Sequence, residues 1–251
     1  QNTEEWQQER RKYMGSSDAP AAMGMSRYRN PVDVALDKRK ARTADHHPEP
    51  ETPEQHRGHV LEPAIAALYE LRTGRKLEVC QSVIHPEHDW MAASPDRRII
   101  EANGLVECKS HNTWVRDQYG EPGTDDVPDY EFVQVQHQMA VTGADFVDIA
   151  ALFGEPQALQ ILASMLDNGA SFDFAVRMAE QMEFLIFPVY RDESVISDLI
   201  EAEREFWTRY VLGDELPVNI LTTAPKHGVR EATDAENVLA VRMKSAWLGM
   251  K

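Results

Sequence analysis

Asp96, in Ser94-Pro95-Asp96, and the pair Glu107 and Lys109, in Leu-Val-Glu-Cys-Lys-Ser, are the residues of this 251-residue chain whose types and spacing could do chemistry together. Two hard carboxylate groups beside an ammonium are the set that holds Mg²⁺ against a phosphodiester. The carboxylates bind the cation, and the ammonium orients or deprotonates an attacking water and offsets charge in the transition state. Charges in so apolar a run are expensive to bury unless they are paired or bind metal. The spacing D-x10-E-x-K alone also fits a structural ion pair, so the elements that carry these residues have to decide.

Those elements follow from periodicity and turn chemistry. Asn103-Gly104 between two apolar runs predicts a two-residue type I′ hairpin, in which both turn residues need φ > 0. In that register Ala102 faces Leu105, Ile100 faces Glu107 and Arg98 faces Lys109, and side chains 96, 98, 100, 107 and 109 share one face. Strands are expected at 76–85, 90–102, 104–110, 145–153 and 183–190. Helices are expected at 3–14, from the turn Gly15-Ser16-Ser17-Asp18 to near Gly24, at 31–42 behind Pro31, at 57–72, at 129–142, and from the N-cap Asp192 to Gly213. In the 57–72 helix Leu61, Ile65, Leu68 and Arg72 fall at helical spacing, Glu62 flanks the apolar stripe, and Pro63 should disturb the turn near it. The polar, Pro-rich segment 43–56 reads as an exposed loop with solvated histidines. Residues 155–182 read as a mostly helical insertion and 214–251 as a C-terminal extension, helical from about 233.

Composition narrows the function. With 42% hydrophobic and 27% charged residues the chain is globular, and no apolar run approaches the roughly 20 residues of a membrane helix. Cys80 and Cys108, the only cysteines, are too few for a disulfide framework or a four-cysteine site and imply a reducing, cytoplasmic setting. A net charge of −16 excludes a protein that coats nucleic acid with its whole surface. The distribution is uneven: residues 1–42 hold nine basic and six acidic residues, a balance of +3, and the remainder holds 17 and 36, a balance of −19. An acidic exterior that confines a polyanion to one local basic site suits an enzyme better than a packaging protein.

In order along the chain, RRKYMGSSDAPAAMGMSRYRNP, RGHVLEP, SPD followed by VECK, and VQVQHQMAVTGADFVDIAALFG resemble the PD-(D/E)XK nuclease superfamily, and within it the lambda-exonuclease-like, YqaJ-type viral recombinase nucleases. The resemblance runs from about residue 10 to 210. It implies an α/β fold with a central mixed β-sheet flanked by helices, spanning 1–213 with the insertion at about 155–182. By motif, Asp96 corresponds to the carboxylate shared by two metal ions, and Glu107 and the backbone carbonyl of Cys108 to ligands of one of them. Lys109 resembles the catalytic lysine, and Glu62, in G-x-x-x-E, the helix-borne carboxylate of the second metal position. Gln134 resembles the family's active-site glutamine, with Gln136 and Gln138 open as alternatives in the same run. A DNA 5′-phosphate pocket would use Arg10, Ser17 and Ser94, with Arg11 an alternative to Arg10.

The function implied is a 5′→3′ exodeoxyribonuclease using two Mg²⁺ ions, with Mn²⁺ able to substitute. It would degrade one strand of linear double-stranded DNA to mononucleotides and leave 3′ single-stranded DNA for phage-type recombination. The resemblance also implies a homotrimeric toroid, a single-strand annealing protein as partner, and a phage or prophage gene product in the bacterial cytoplasm. The rival readings are an endonuclease or an exonuclease of other polarity on the same core, and a non-catalytic DNA-binding or assembly protein.

Overall fold

The computed structural model describes residues 9–26, 28–42 and 51–217. Its main sheet has five strands in the order β2-β5-β6-β7-β8: β2 (Leu77–Val79), β5 (Arg97–Ile99), β6 (Gly104–Asn112), β7 (Phe146–Gly154) and β8 (Glu183–Tyr190). β6 and β7 run parallel and the other neighbours antiparallel. A parallel pair needs a crossover, and helix α4 (Asp129–Thr142), ended by Gly143 at φ 72°, supplies it. A second, three-stranded sheet joins β1 (Met14–Gly15), β4 (Met91–Ala93) and β3 (Val83–Ile84), with β1 parallel to β4.

β7 is buried on both faces, so its side chains divide by parity. Val147, Ile149, Ala151 and Phe153 join Val135 and Met139 of α4 in one core. Ala150 and Leu152 join a second core on the opposite face, with Leu61, Ile65, Leu68 and Tyr69 of helix α3 (Pro53–Thr73). Helices α5 (Pro156–Asp167) and α6 (Phe172–Ala179), from the segment read as an insertion, complete this second core through Leu159, Leu162, Ala175 and Ala179. A third core holds α1 (Ala19–Ala22) and α2 (Pro31–Ala41) against Phe206, Trp207 and Tyr210 at the end of α7 (Glu193–Phe206). Among the described residues no helix is long and apolar enough to cross a membrane.

Local signals set most helix ends. Asn30 with Asp33 and Thr52 with Gln55 form capping boxes in front of Pro31 and Pro53, and Asp192 accepts from Ser194 N and Val195 N. Thus α3 starts four residues before the expected 57, inside the stretch read as loop, and passes through Pro63 without a break. α7 gives way at Trp207–Leu212 to π-helical turns that end at Gly213. Of the helix expected at 3–14, residues 9–11 are helical and the chain is already β1 at Met14. The expected strands 76–85 and 90–102 are each two short strands divided by a break. Residues 43–50 of the Pro-rich loop and the helical stretch from about 233 lie outside the described residues.

The hairpin before β6 differs from expectation. Arg97 pairs with Val106 and Arg98 with Leu105, so β5 is displaced by four residues from the expected register, and 100–103 form a longer connection. Gly104 does not take the left-handed conformation that a type I′ turn demands. It is required for close approach instead: a Cβ there would lie 2.3 Å from Cζ of Phe146. The Asn103 amide donates to the Gly143 carbonyl, tying the connection to the end of α4. Because the displacement is even and the strand period is two, the face assignment survives, and Asp96 lies on the same side as Glu107 and Lys109.

Candidate active site

Side chains 107, 109 and 111 of β6 point at α4, which presents Gln138, Gln134 and Glu131 in reverse order. Two strand residues advance about 6.6 Å, and three or four helical residues about 4.5 or 6 Å, so the two faces meet in three polar rungs. Gln138 Nε2 donates to Glu107 Oε2 at 2.7 Å and Gln134 Nε2 to Glu107 Oε1 at 2.6 Å. Lys109 Nζ donates to Glu107 Oε1 at 2.8 Å and to Gln134 Oε1 at 3.0 Å. In the third rung Glu131 accepts from His111 Nε2 at 2.9 Å and from Tyr119 OH at 2.5 Å.

Asp96 comes to this ladder from the edge. Its Oδ2 accepts from the Cys108 backbone N–H at 2.7 Å. In an extended strand N–H and C=O of one residue point to the same edge, so the Cys108 carbonyl also faces the side of Asp96, where β5 no longer pairs. Glu62, on α3, is ion-paired with Arg97, whose guanidinium also donates to the Asp96 carbonyl at 2.7 Å. Burial, and then the negative charges of Glu107 and Glu62, push the Asp96 carboxyl well above the usual range. Burial acts against the Lys109 ammonium, yet Glu107 and Glu131 outweigh it and its pKa is raised.

Three carboxylates thus converge on two cations, Lys109 and Arg97, and burial together with the excess negative charge makes Asp96 hard to ionise. A divalent cation among hard oxygen donors relieves that strain, so the residues present fit one. Among the described residues no three or more His, Cys, Asp and Glu side chains form a ready metal cage, since Arg97 occupies Glu62 and three donors hold Glu107.

The residues singled out for a 5′-phosphate are brought together in part. Arg10 reaches Ser17 Oγ in a long contact of 3.5 Å. Ser17 lies in the turn after β1 and Ser94 directly follows β4, the parallel neighbour of β1, with Ser94 Oγ bonded to Ser82 Oγ at 2.7 Å. The helix that follows the Gly15-Ser16-Ser17-Asp18 turn is a single turn, and the Asp18 side chain does not cap it. Its carboxylate instead binds Arg29 at 2.6 Å and buried Lys38 at 2.5 Å. Burial opposes the Asp18 charge, but Lys38 and Arg29 prevail and hold the carboxyl below the usual range.

Among the glutamines, Gln134 is in the site, and Gln136 points away, bonding the Tyr190 carbonyl and the Asp192 N–H. Gln138 is also in the site, which the sequence reading had left open. Arg97, Glu131 and His111 went unread. A signal for Glu131 and Gln138 existed, since residues three before and four after Gln134 share its helix face.

Residues 5–145, more than half of the chain, match the model of the YqaJ-like viral recombinase domain. An uncharacterised protein named YqaJ from Bacillus subtilis (strain 168) is 26% identical over 245 residues, covering 97% of this chain and 67% of that protein. Among solved structures, an alkaline exonuclease from Laribacter hongkongensis, LHK-Exo, is similar with a TM-score of 0.60 at 18% identity, over 99% of this chain and all of that one. The same enzyme in complex with dAMP gives 0.61 at 22% identity, over 83% and 92%. A phage-related exonuclease from Haemophilus somnus 129PT gives 0.54 at 14% identity, over 79% and 93%. These likenesses establish the mixed-sheet fold, and the match over residues 5–145 establishes that the chain belongs to the YqaJ-like viral recombinase domain family.

Proposed function

We propose that the protein is a Mg²⁺-dependent exodeoxyribonuclease that degrades one strand of linear double-stranded DNA 5′→3′ to mononucleotides, leaving a 3′ single strand for phage-type recombination. The observation that carries the reading is the convergence of Asp96, Glu107 and Glu62 with Lys109 and Gln134 along the edge of β6. The similarity to alkaline exonuclease structures supports it, one of them holding a deoxynucleoside monophosphate.

In this reading Asp96, Glu107, the Cys108 carbonyl and Glu62 hold the metal ions, two in number, with Mn²⁺ able to substitute. When bound, such ions polarise the scissile phosphate and acidify the attacking water. Lys109, aimed by Glu107 and Gln134, orients that water and offsets charge on the phosphate. Gln134, partly exposed in front of the ladder, fixes the ammonium from the open side. Arg10, Ser17 and Ser94 receive the 5′-phosphate, which sets the polarity. Residues 1–213 form the nuclease domain, which acts as a homotrimeric ring in the bacterial cytoplasm and hands its product to a single-strand annealing protein.

The test is digestion of 5′-labelled and 3′-labelled linear duplexes beside a closed circle, with Mg²⁺, with Mn²⁺ and with EDTA. Loss of the 5′ label as mononucleotide, only with metal and only from linear DNA, is expected. Asp96→Ala and Glu107→Ala should fall to background, whereas Lys109→Ala should bind metal but not turn over. Light scattering should give about three times the 28.5 kDa chain mass. Full activity of Asp96→Ala refutes the site. Cleavage of the circle refutes the exonuclease reading.

A further inference from the structure

We propose that Gln138 is a positioning residue for Glu107, fixing which carboxylate oxygen is left to meet a cation; this rests on the reading of Glu107 as a metal ligand. A carboxylate offers about four acceptor positions, two on each oxygen. Oε1 uses both of its positions, for Lys109 Nζ at 2.8 Å and Gln134 Nε2 at 2.6 Å. Oε2 uses one, for Gln138 Nε2 at 2.7 Å. The remaining acceptor position is therefore on Oε2, the oxygen that Gln138 holds.

The last torsion of a glutamate is broad, so its side chain does not by itself orient the carboxylate. Lys109 and Gln134 both pull on Oε1 and leave rotation about it unopposed. Gln138 stops that rotation from the opposite side. It is 1% exposed and stands behind Glu107, out of reach of a substrate. Its own Oε1 is buried with no partner among the described residues. Nothing polar but Glu107 therefore directs the amide, and the reverse orientation would set two oxygens against each other at hydrogen-bond distance. An amide kept in the core with its oxygen unpaired has its function in the bond its nitrogen makes to Glu107.

The experiment is calorimetric titration of the full chain with Mn²⁺, without DNA, on wild type, Asp96→Asn, Gln138→Met and Gln138→Asn. The methionine keeps the volume and removes the donor, and the asparagine keeps an amide that falls one methylene short. Both should weaken Mn²⁺ binding about 10- to 100-fold, the range for residues that orient a metal ligand. Their metal-free melting temperatures should stay near wild type, and kcat at saturating Mn²⁺ should return to within a few-fold with KM for DNA unchanged. Wild-type Mn²⁺ affinity in both Gln138 variants, with binding lost in Asp96→Asn, overturns the proposal and leaves the metal site standing. A large fall in metal-free melting temperature in both variants makes Gln138 structural and also overturns it. If wild type binds no Mn²⁺, the metal reading itself fails and takes the proposal with it.

Discussion

His137 and Glu203 are both 0% exposed and bonded at 2.8 Å between Nδ1 and Oε1, while His137 Nε2 lies 3.0 Å from the Ala92 carbonyl. Both ring nitrogens thus face acceptors, which an imidazole satisfies only when doubly protonated. Burial opposes that charge, but Glu203, the Ala92 carbonyl and Asp18 outweigh it, and the His137 pKa is raised. This ion pair joins α4, which carries Gln134, to β4, which leads to Asp96, and to α7. His137→Ala would strand the Glu203 carboxylate, whose Oε2 already has no partner among the described residues. Breaking such a buried pair costs about 3–5 kcal/mol. For a chain of this size that is a fall of about 6–20 °C in Tm. The double variant His137→Leu with Glu203→Met should recover most of the loss, because no buried charge remains. Since the folded pKa lies above the unfolded one, the stabilisation is complete below the unfolded value of about 6.5 and is lost as pH rises through the folded value. One proton limits the slope to about 1.4 kcal/mol per pH unit, so wild-type Tm should fall by up to about 3–6 °C per unit relative to the double variant. Thermal melts by circular dichroism from pH 6 to 9 measure this. Parallel profiles for wild type and double variant would show that His137 is not a buried cation.

Three more outcomes follow from particular contacts. Gly104→Ala drives a Cβ to 2.3 Å from the Phe146 ring and should cost about 1–3 kcal/mol in urea melts, with Phe146→Leu restoring part of it; an unchanged midpoint would refute the close-approach account. Asp18→Asn leaves Lys38 buried without its carboxylate and should cost about 3–5 kcal/mol. Because the folded Asp18 pKa is depressed, its contribution is present above the unfolded value of about 3.9 and lost as pH falls further, so the variant should show a flatter acid limb; an identical limb would count against the pair. Arg10→Ala should slow digestion of 5′-phosphorylated ends much more than of 5′-hydroxyl ends, because a charge-assisted bond to phosphate exists only with the former; equal slowing would remove Arg10 from the 5′ pocket.

What the sequence discloses about the site depends on whether a feature is set by neighbours in the chain or by neighbours in space. Asp96, Glu107 and Lys109 were placed on one face correctly although the hairpin register was wrong by four residues, because parity along a strand is local and an even slip preserves it. The register was misread at Gly104, where a glycine after asparagine imitates a type I′ turn. The reason for that glycine is the ring of Phe146, which β7 places against it and which no short window contains. The partners of Asp18 are likewise distant in the chain: Arg29 and Lys38 lie 11 and 20 residues later, Lys38 within α2.

The glutamines make the same point from the other direction. That 129–142 is a helix follows from its own pattern, and so does the fact that residues 131, 134 and 138 share a face. Which glutamines meet Glu107 is decided by how far α4 slides along β6. That slide is fixed by Val135 and Met139 packing against Ile149 and Ala151 and by Gly143 ending the helix. Apolar packing therefore sets the register of the polar ladder, and the donors on Glu107 are aligned by residues that never touch it. Shifting the helix by one residue would turn every rung away, about 100° per residue, while leaving the hydrophobic content of α4 unchanged. The chemistry at Glu107 thus depends on the shapes of Val135 and Met139 as much as on the amides of Gln134 and Gln138.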